Sequence, residues 1–290
     1  MELEFNMNMF NSKLLVAGLL SASVMVGCGS DSSADKDSPT VTNGSLTAAL
    51  GALSGATCDI TNAAGSTLET VTTGADGSVS ITIETVGSDF PLIVSCTDGT
   101  YFDEANPDDP AKTNESVIKS IVPDLATFNN VGGNVAVTTL TDLAVELYNS
   151  LPAGDKTVET ALASLDEIVR VLAPELGTGG GGVNLLAAPT PVTAGDTVVP
   201  NTPAGVYASY LAGLAQVAKD KGISPAELGA LLAEDVANGD PIDADTVSDL
   251  GSSAASFAAD KGFTVTGTTG DGGAAVKPTP TGTGGTATGG

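Results

Sequence analysis

Cysteine, aspartate and glutamate are the side chains here with chemistry to offer, because the chain has three cysteines, 35 acidic residues and no histidine. Losing histidine removes the Ser-His-Asp and Cys-His nucleophile arrangements, His-ligated zinc and iron, and the usual neutral-pH proton shuttle. What remains for a metal is oxygen. The stretches "NPDDP", Asn106 to Pro110, and "NGDPIDADTVSD", Asn238 to Asp249, place carboxylates in turns, and calcium takes such hard ligands. Asp108, Asp109, Asp243 and Asp245 are therefore the candidate metal residues. Against that, Asp243 and Asp245 lack the glycine and distal glutamate of an EF-hand loop, and one of them is placed to cap a helix. A paired-carboxylate glycosidase needs two acids across a sugar-sized cleft, and no such pair stands out among so many. The expectation is a protein without catalytic residues and without a cofactor.

Two other motifs lose their chemistry on inspection. The run "GTGGGG", Gly177 to Gly182, is followed by no Gly-Lys-Ser/Thr and is framed by no strand and helix, so it reads as a linker and not as a phosphate loop. Arg170, the one arginine, has Asp166 four residues before it and reads as half of a helical salt bridge.

Cys28 is different. It follows the apolar segment "LLVAGLLSASVMVG", Leu14 to Gly27, which Lys13 precedes and which is too short to span a bilayer but has signal-peptide proportions. Glu2 and Glu4 spoil the positive flank, and initiation at Met7 or Met9 removes both. The junction "MVGC", Met25 to Cys28, resembles the lipobox of bacterial lipoproteins, with Met25 where leucine is commonest. The resemblance implies that Cys28 is acylated, becomes the mature N-terminus and anchors the chain in a membrane. "GSDSSADKDS", Gly29 to Ser38, would then be a flexible polar tether. Gly29 after the cysteine implies, by the enterobacterial sorting rule, the outer membrane, on its periplasmic or surface face. The alternative is ordinary signal-peptide cleavage beside an incidental cysteine.

Behind this leader, residues 45–139 break into short alternating or β-branched stretches separated by turn signals. Strands are expected at Ser45–Leu50, Thr57–Thr61, Thr67–Thr73, Ser78–Glu84, Pro91–Thr97, Ser116–Val122 and Asn134–Thr138. So many short strands cannot bury their apolar faces in one open sheet, so a small antiparallel β-sandwich is expected. The run from Gly51 to Ile83, "GALSGATCDITNAAGSTLETVTTGADGSVSITI", resembles the carboxypeptidase regulatory-like or prealbumin-like sandwich of bacterial surface proteins, with Gly55, Ala56, Gly65, Thr72, Asp76 and Gly77 where that pattern wants them. The resemblance implies a spacer or binding platform and no catalysis.

Cys58 and Cys96 stand where that pattern more often has apolar β-branched residues. Cys58 alternates with Ile60, and Cys96 with Val94 and Leu92, so both should point inward. With Cys28 lipidated they are the remaining thiols in an oxidising compartment, and a bridge between them would stabilise the fold by about 3 to 4 kcal/mol. Two buried free thiols are the alternative.

Beyond Thr139 the apolar period lengthens to that of helices. "TLTD", Thr139 to Asp142, reads as a capping box opening a short helix, and a second helix is expected from Thr157 to Leu172. Three more follow: from Thr202 as N-cap to Gly222, from the capping box "SPAE" at Ser224 to Gly239, and from Ala244 to Lys261. Tyr207 and Tyr210 fall on the apolar stripe and should be core. The whole reads as an α+β chain: signal peptide 1–27, tether 28–44, sandwich 45–139, helical domain 140–263 with a Gly/Pro-rich flexible insertion at 177–203, and a disordered tail 264–290.

A formal charge of −25 keeps such a surface solvated and repels phosphate backbones, so nucleic acid is excluded as a partner. The expected partners are a membrane, through Cys28, and an envelope or extracellular protein. The function expected is a lipid-anchored scaffold or interaction module of the cell envelope. The alternative is a lipoprotein that captures a small ligand or calcium between the sandwich and the helical domain.

Overall fold

The computed structural model describes residues 38–105, 109–177, 185–192, 198–267, 270 and 273–280. Its first half is dominated by strands: β1 (Thr40–Ala49), β2 (Thr57–Thr61), β3 (Thr67–Thr72), β4 (Ser78–Thr85), β5 (Leu92–Thr97), the two-residue β6 (Thr100–Tyr101) and β7 (Lys112–Thr113), then β8 (Ile118–Val122) and β9 (Asn134–Thr138). Helix α1 (Leu125–Asn130) separates the last two strands. Five helices complete the α+β chain: α2 (Thr139–Asn149), α3 (Val158–Leu172), α4 (Pro203–Lys221), α5 (Pro225–Asn238) and α6 (Ala244–Asp260).

Strict alternation of apolar and polar residues is what makes β2, β4 and β5 strands with one buried face. Cys58 and Ile60, Ile81 and Ile83, and Leu92, Val94 and Cys96 all point inward while their neighbours stay partly or fully exposed. β3, β2, β5 and β8 form one sheet, antiparallel throughout, and β4, β1 and β9 form another. The inner faces of both sheets share a single apolar cluster, to which Tyr101 and Phe128 also belong.

One pairing departs from the antiparallel expectation. β9 runs parallel to β1, with Leu46 beside Val135 and Ala48 beside Val137. The chain leaving β8 turns through α1, an element absent from the sequence reading, and so enters beside β1 in the same direction. The joint is tight: a Cβ on Gly44 would lie 2.3 Å from both the Phe128 ring and the Gly133 carbonyl. No side chain fits there.

The strands nearest the helices are covered on both faces. Ala49, Ile121 and Ala136, on the faces turned away from the first cluster, belong to a second cluster with the helices. α2 lies at the centre of that layer, packed on β8, α3 and α5. It springs directly from β9, and its N-cap is Thr138, with Thr141 completing the capping box. The box therefore sits one residue before the expected Thr139–Asp142 pair, because the strand holds Thr138 extended and Thr139 is already helical. The remaining caps follow the sequence: Thr157, Thr202 and Ser224 each accept a first-turn amide, and Gly222 and Gly239 end α4 and α5 in the left-handed conformation. Tyr207 and Tyr210 are buried, as expected.

Two segments expected to be flexible are partly packed. Within 177–203, Leu185, Leu186, Val192 and Val199 are buried in the helical core. In the tail, Val265 and Ala275 are buried, Ala274 bridges to Pro241, and the Val276 amide donates to the Glu167 carboxylate. Isolated apolar residues on extended chain dock one at a time, so they leave no periodic signal. Arg170, for which Asp166 was the expected partner, grips Glu167 by two hydrogen bonds of 2.9 and 2.6 Å and also reaches the Ala274 carbonyl.

Candidate functional site

Of the residues singled out from sequence, Cys28 and Asp108 lie outside the described residues. Cys58 and Cys96 face each other directly across β2 and β5, are fully buried, and form a disulfide. The three described calcium candidates are not gathered into one site. Asp109 is exposed in the loop between β6 and β7, Asp245 is exposed in the first turn of α6, and Asp243 caps α6 by accepting from the Thr246 amide and hydroxyl. Those two hydrogen bonds hold the Asp243 carboxyl below its ordinary range. Among the described residues no three His, Cys, Asp or Glu side chains converge on a point that could hold a metal.

The arrangement with more chemistry lies where the β6–β7 loop meets the helices. Asp103 is almost fully buried there; its two oxygens take the Lys112 ammonium at 2.6 Å and the Ala105 amide at 3.0 Å. Lys219 of α4 donates to the Ala105 carbonyl at 2.7 Å, which ties the loop to the helical layer. Glu104 is thereby turned into the seam. Its Oε2 is shut off from solvent and has no hydrogen-bond partner among the described residues. Burial, reinforced by the neighbouring Asp103 charge and opposed by Lys261, pushes its carboxyl up to about 8. Glu104 is thus a neutral acid at neutral pH, able to donate one hydrogen bond and to accept others.

Glu104 lines a cleft of about 440 Å³ between the loop, α4 and α6. The helices supply its polar wall for a simple geometric reason. α6 buries Val247, Leu250, Ala254 and Ala258, and α4 approaches closely enough that a Cβ on Gly213 would lie 2.9 Å from the Leu250 carbonyl. Ser252, Ser253 and Ser256 then fall outside the buried stripe and line the opening, with Gln216 of α4 opposite. Asp260 and Lys261 stand at the end of α6, where the Lys261 ammonium is 5.5 Å from the centre of the Phe257 ring.

A second acid with a solvent-excluded oxygen, the half-buried Asp142, stands near the start of α2. Asp142 of α2 is pushed up to about 7 by burial, with Lys119 of β8 opposing and Glu146 adding to the rise, and its Oδ1 has no partner among the described residues. Lys119 pairs with Glu146. Burial alone would lower the Lys119 ammonium, but the Glu146 hydrogen bond and the charges of Asp142 and Glu146 carry it above its ordinary value. This cluster joins α2 to β8.

Sequence reasoning missed both acids. Glu104 is hidden in "YFDEANPDDP", a run that reads as a solvated acidic loop, and Asp142 was assigned to a capping box. No local pattern marks either one, since their burial comes from elements remote in sequence. Comparison with known proteins finds no matching family model, no matching curated protein and no matching solved structure.

Proposed function

We propose that this chain is an exported, non-catalytic lipoprotein of the cell envelope, tethered through acylated Cys28 and acting as a scaffold or interaction module toward another envelope or extracellular protein. The observation that carries this reading is the Cys58–Cys96 disulfide in the sheet core, because disulfides persist in oxidising compartments and are rare where thiols are kept reduced. An address outside the cytoplasm is also what the lipobox-like "MVGC" and the apolar segment before it imply. Among the described residues no helix is long and apolar enough to cross a membrane, so an anchor through lipid accords with them.

The two sheets with one shared core support the prealbumin-like sandwich as the module presented by the tether. The parallel β1–β9 pair is a departure from the antiparallel form of that module, and it serves to carry the chain into α2. Gly29 after the cysteine favours the outer membrane as the destination. The deciding experiment is intact mass and detergent partitioning of the chain made in a bacterial host, alongside Cys28→Ser. A diacyl or triacyl mass on a chain beginning at Cys28, lost in the variant, is the expected result. A soluble, unacylated product would refute the tether.

A further inference from the structure

We propose that the cleft beside Glu104 is a binding site for a small, uncharged polyhydroxyl ligand of about monosaccharide size, with the Glu104 carboxyl as its innermost hydrogen-bonding group. The site does not depend on the lipid anchor and stands or falls separately from it. Its first support is Glu104, which lines a cleft of about 440 Å³ and whose solvent-excluded Oε2 has no hydrogen-bond partner among the described residues. A buried polar atom left unsatisfied costs stability, and rotation of the carboxyl toward the cleft lets a group that enters from outside supply the missing partner. The volume lies within the range of small-molecule sites.

The class of ligand follows from the lining. Three serine hydroxyls and the Gln216 amide each offer donors and acceptors, as does a neutral carboxyl. A ligand hydroxyl does the same, so it can satisfy each of these groups whichever way their protons point. Charge selects against ions. Asp103 is neutralised by Lys112, Lys219 is held by the Ala105 carbonyl, and Asp260 and Lys261 offer one charge of each sign at the mouth. Asp220, the other acid nearby on α4, accepts from Gln216 at 2.8 Å and so holds that amide in place. The wall has no net charge with which to prefer a cation or an anion.

The test is amide NMR of the full chain at neutral pH, titrated separately with D-glucose, N-acetylglucosamine, myo-inositol and glycerol, and with ethylammonium and acetate as charged probes. At least one polyol should shift the amides of Ser252, Ser253 and Ser256 with a dissociation constant on the order of millimolar, as expected for so small a ligand. Glu104→Leu should weaken that binding about tenfold or more, the loss of a buried hydrogen bond to the ligand, and Glu104→Gln should restore most of it. Ser253→Leu fills the opening from the partly exposed face of α6 and should abolish the shifts while leaving the fold intact, which keeps the test decisive if Glu104→Leu does not fold. Absence of shifts with every polyol up to the millimolar range, tighter binding of ethylammonium or acetate, or unchanged binding in Ser253→Leu would each overturn the proposal.

Discussion

Replacing Glu104 by glutamine should remove most of the dependence of stability on pH across the neutral range. The carboxyl is moved from 4.5 in the unfolded chain to about 8 in the fold. Between those values the folded chain holds a proton that the unfolded chain has released, so stability falls as pH rises and levels off above the folded value. At about 1.36 kcal/mol for each pH unit, the whole interval amounts to a ceiling of about 5 kcal/mol. Relaxation of the groups around the carboxyl eases its ionisation, so a loss of about 2 to 3 kcal/mol is expected in practice. Glutamine keeps the shape and has no proton to lose, so the variant should match the wild type in mild acid and exceed it above pH 8. Asp142, raised in the same direction to about 7, leaves a smaller residual slope in the variant. The assay is the urea midpoint measured at a series of pH values for both proteins, at constant salt so that general repulsion among the acidic residues cancels in the difference. Parallel curves would refute the reasoning, since they would mean that Glu104 ionises in the fold as it does in water.

Two further outcomes test the framework around the site. The Cys58→Ala, Cys96→Ala pair should lose about 4 kcal/mol, the loop-closure value for a bridge spanning 38 residues, read as a fall in the urea midpoint without loss of far-ultraviolet signal in native buffer. Gly44→Ala should lose about 2 to 3 kcal/mol by the same measurement, because the added methyl meets the Phe128 ring and the Gly133 carbonyl at 2.3 Å and forces the β1–β9 joint apart.

Much of the fold was legible because its signals are local. Alternation in "SVSITIET" and "LIVSCT" marks one buried face whatever the rest of the chain does, and the strands β4 and β5 lie there. Capping residues at Thr157, Thr202 and Ser224 act on amides within three positions of themselves, so their helices begin where the residues are. The disulfide was legible for a related reason: two inward-pointing cysteines on strands of one layer meet if those strands are neighbours, and β2 and β5 are. The parallel entry of β9 beside β1 was not legible, because it depends on where α1 delivers the chain. Nor was the packing of Val265 and Ala275, which are single apolar residues with no periodic companions.

The candidate site divides along the same line. Residue types by themselves determined that no histidine chemistry is open to this chain, that its surface is acidic, and that its helices and strands segregate into two halves. Whether a given acid is solvated or buried is a property of the groups that surround it, and for Glu104 those groups come from its own β6–β7 loop and from residues of α4 and α6 more than a hundred positions further along the chain. Asp103 and Glu104 are adjacent and chemically alike, yet one is paired with Lys112 while the other lines the seam with an oxygen unpartnered among the described residues. Only the tertiary structure makes that distinction, because desolvation is set by what packs around a side chain and not by what stands next to it in the chain.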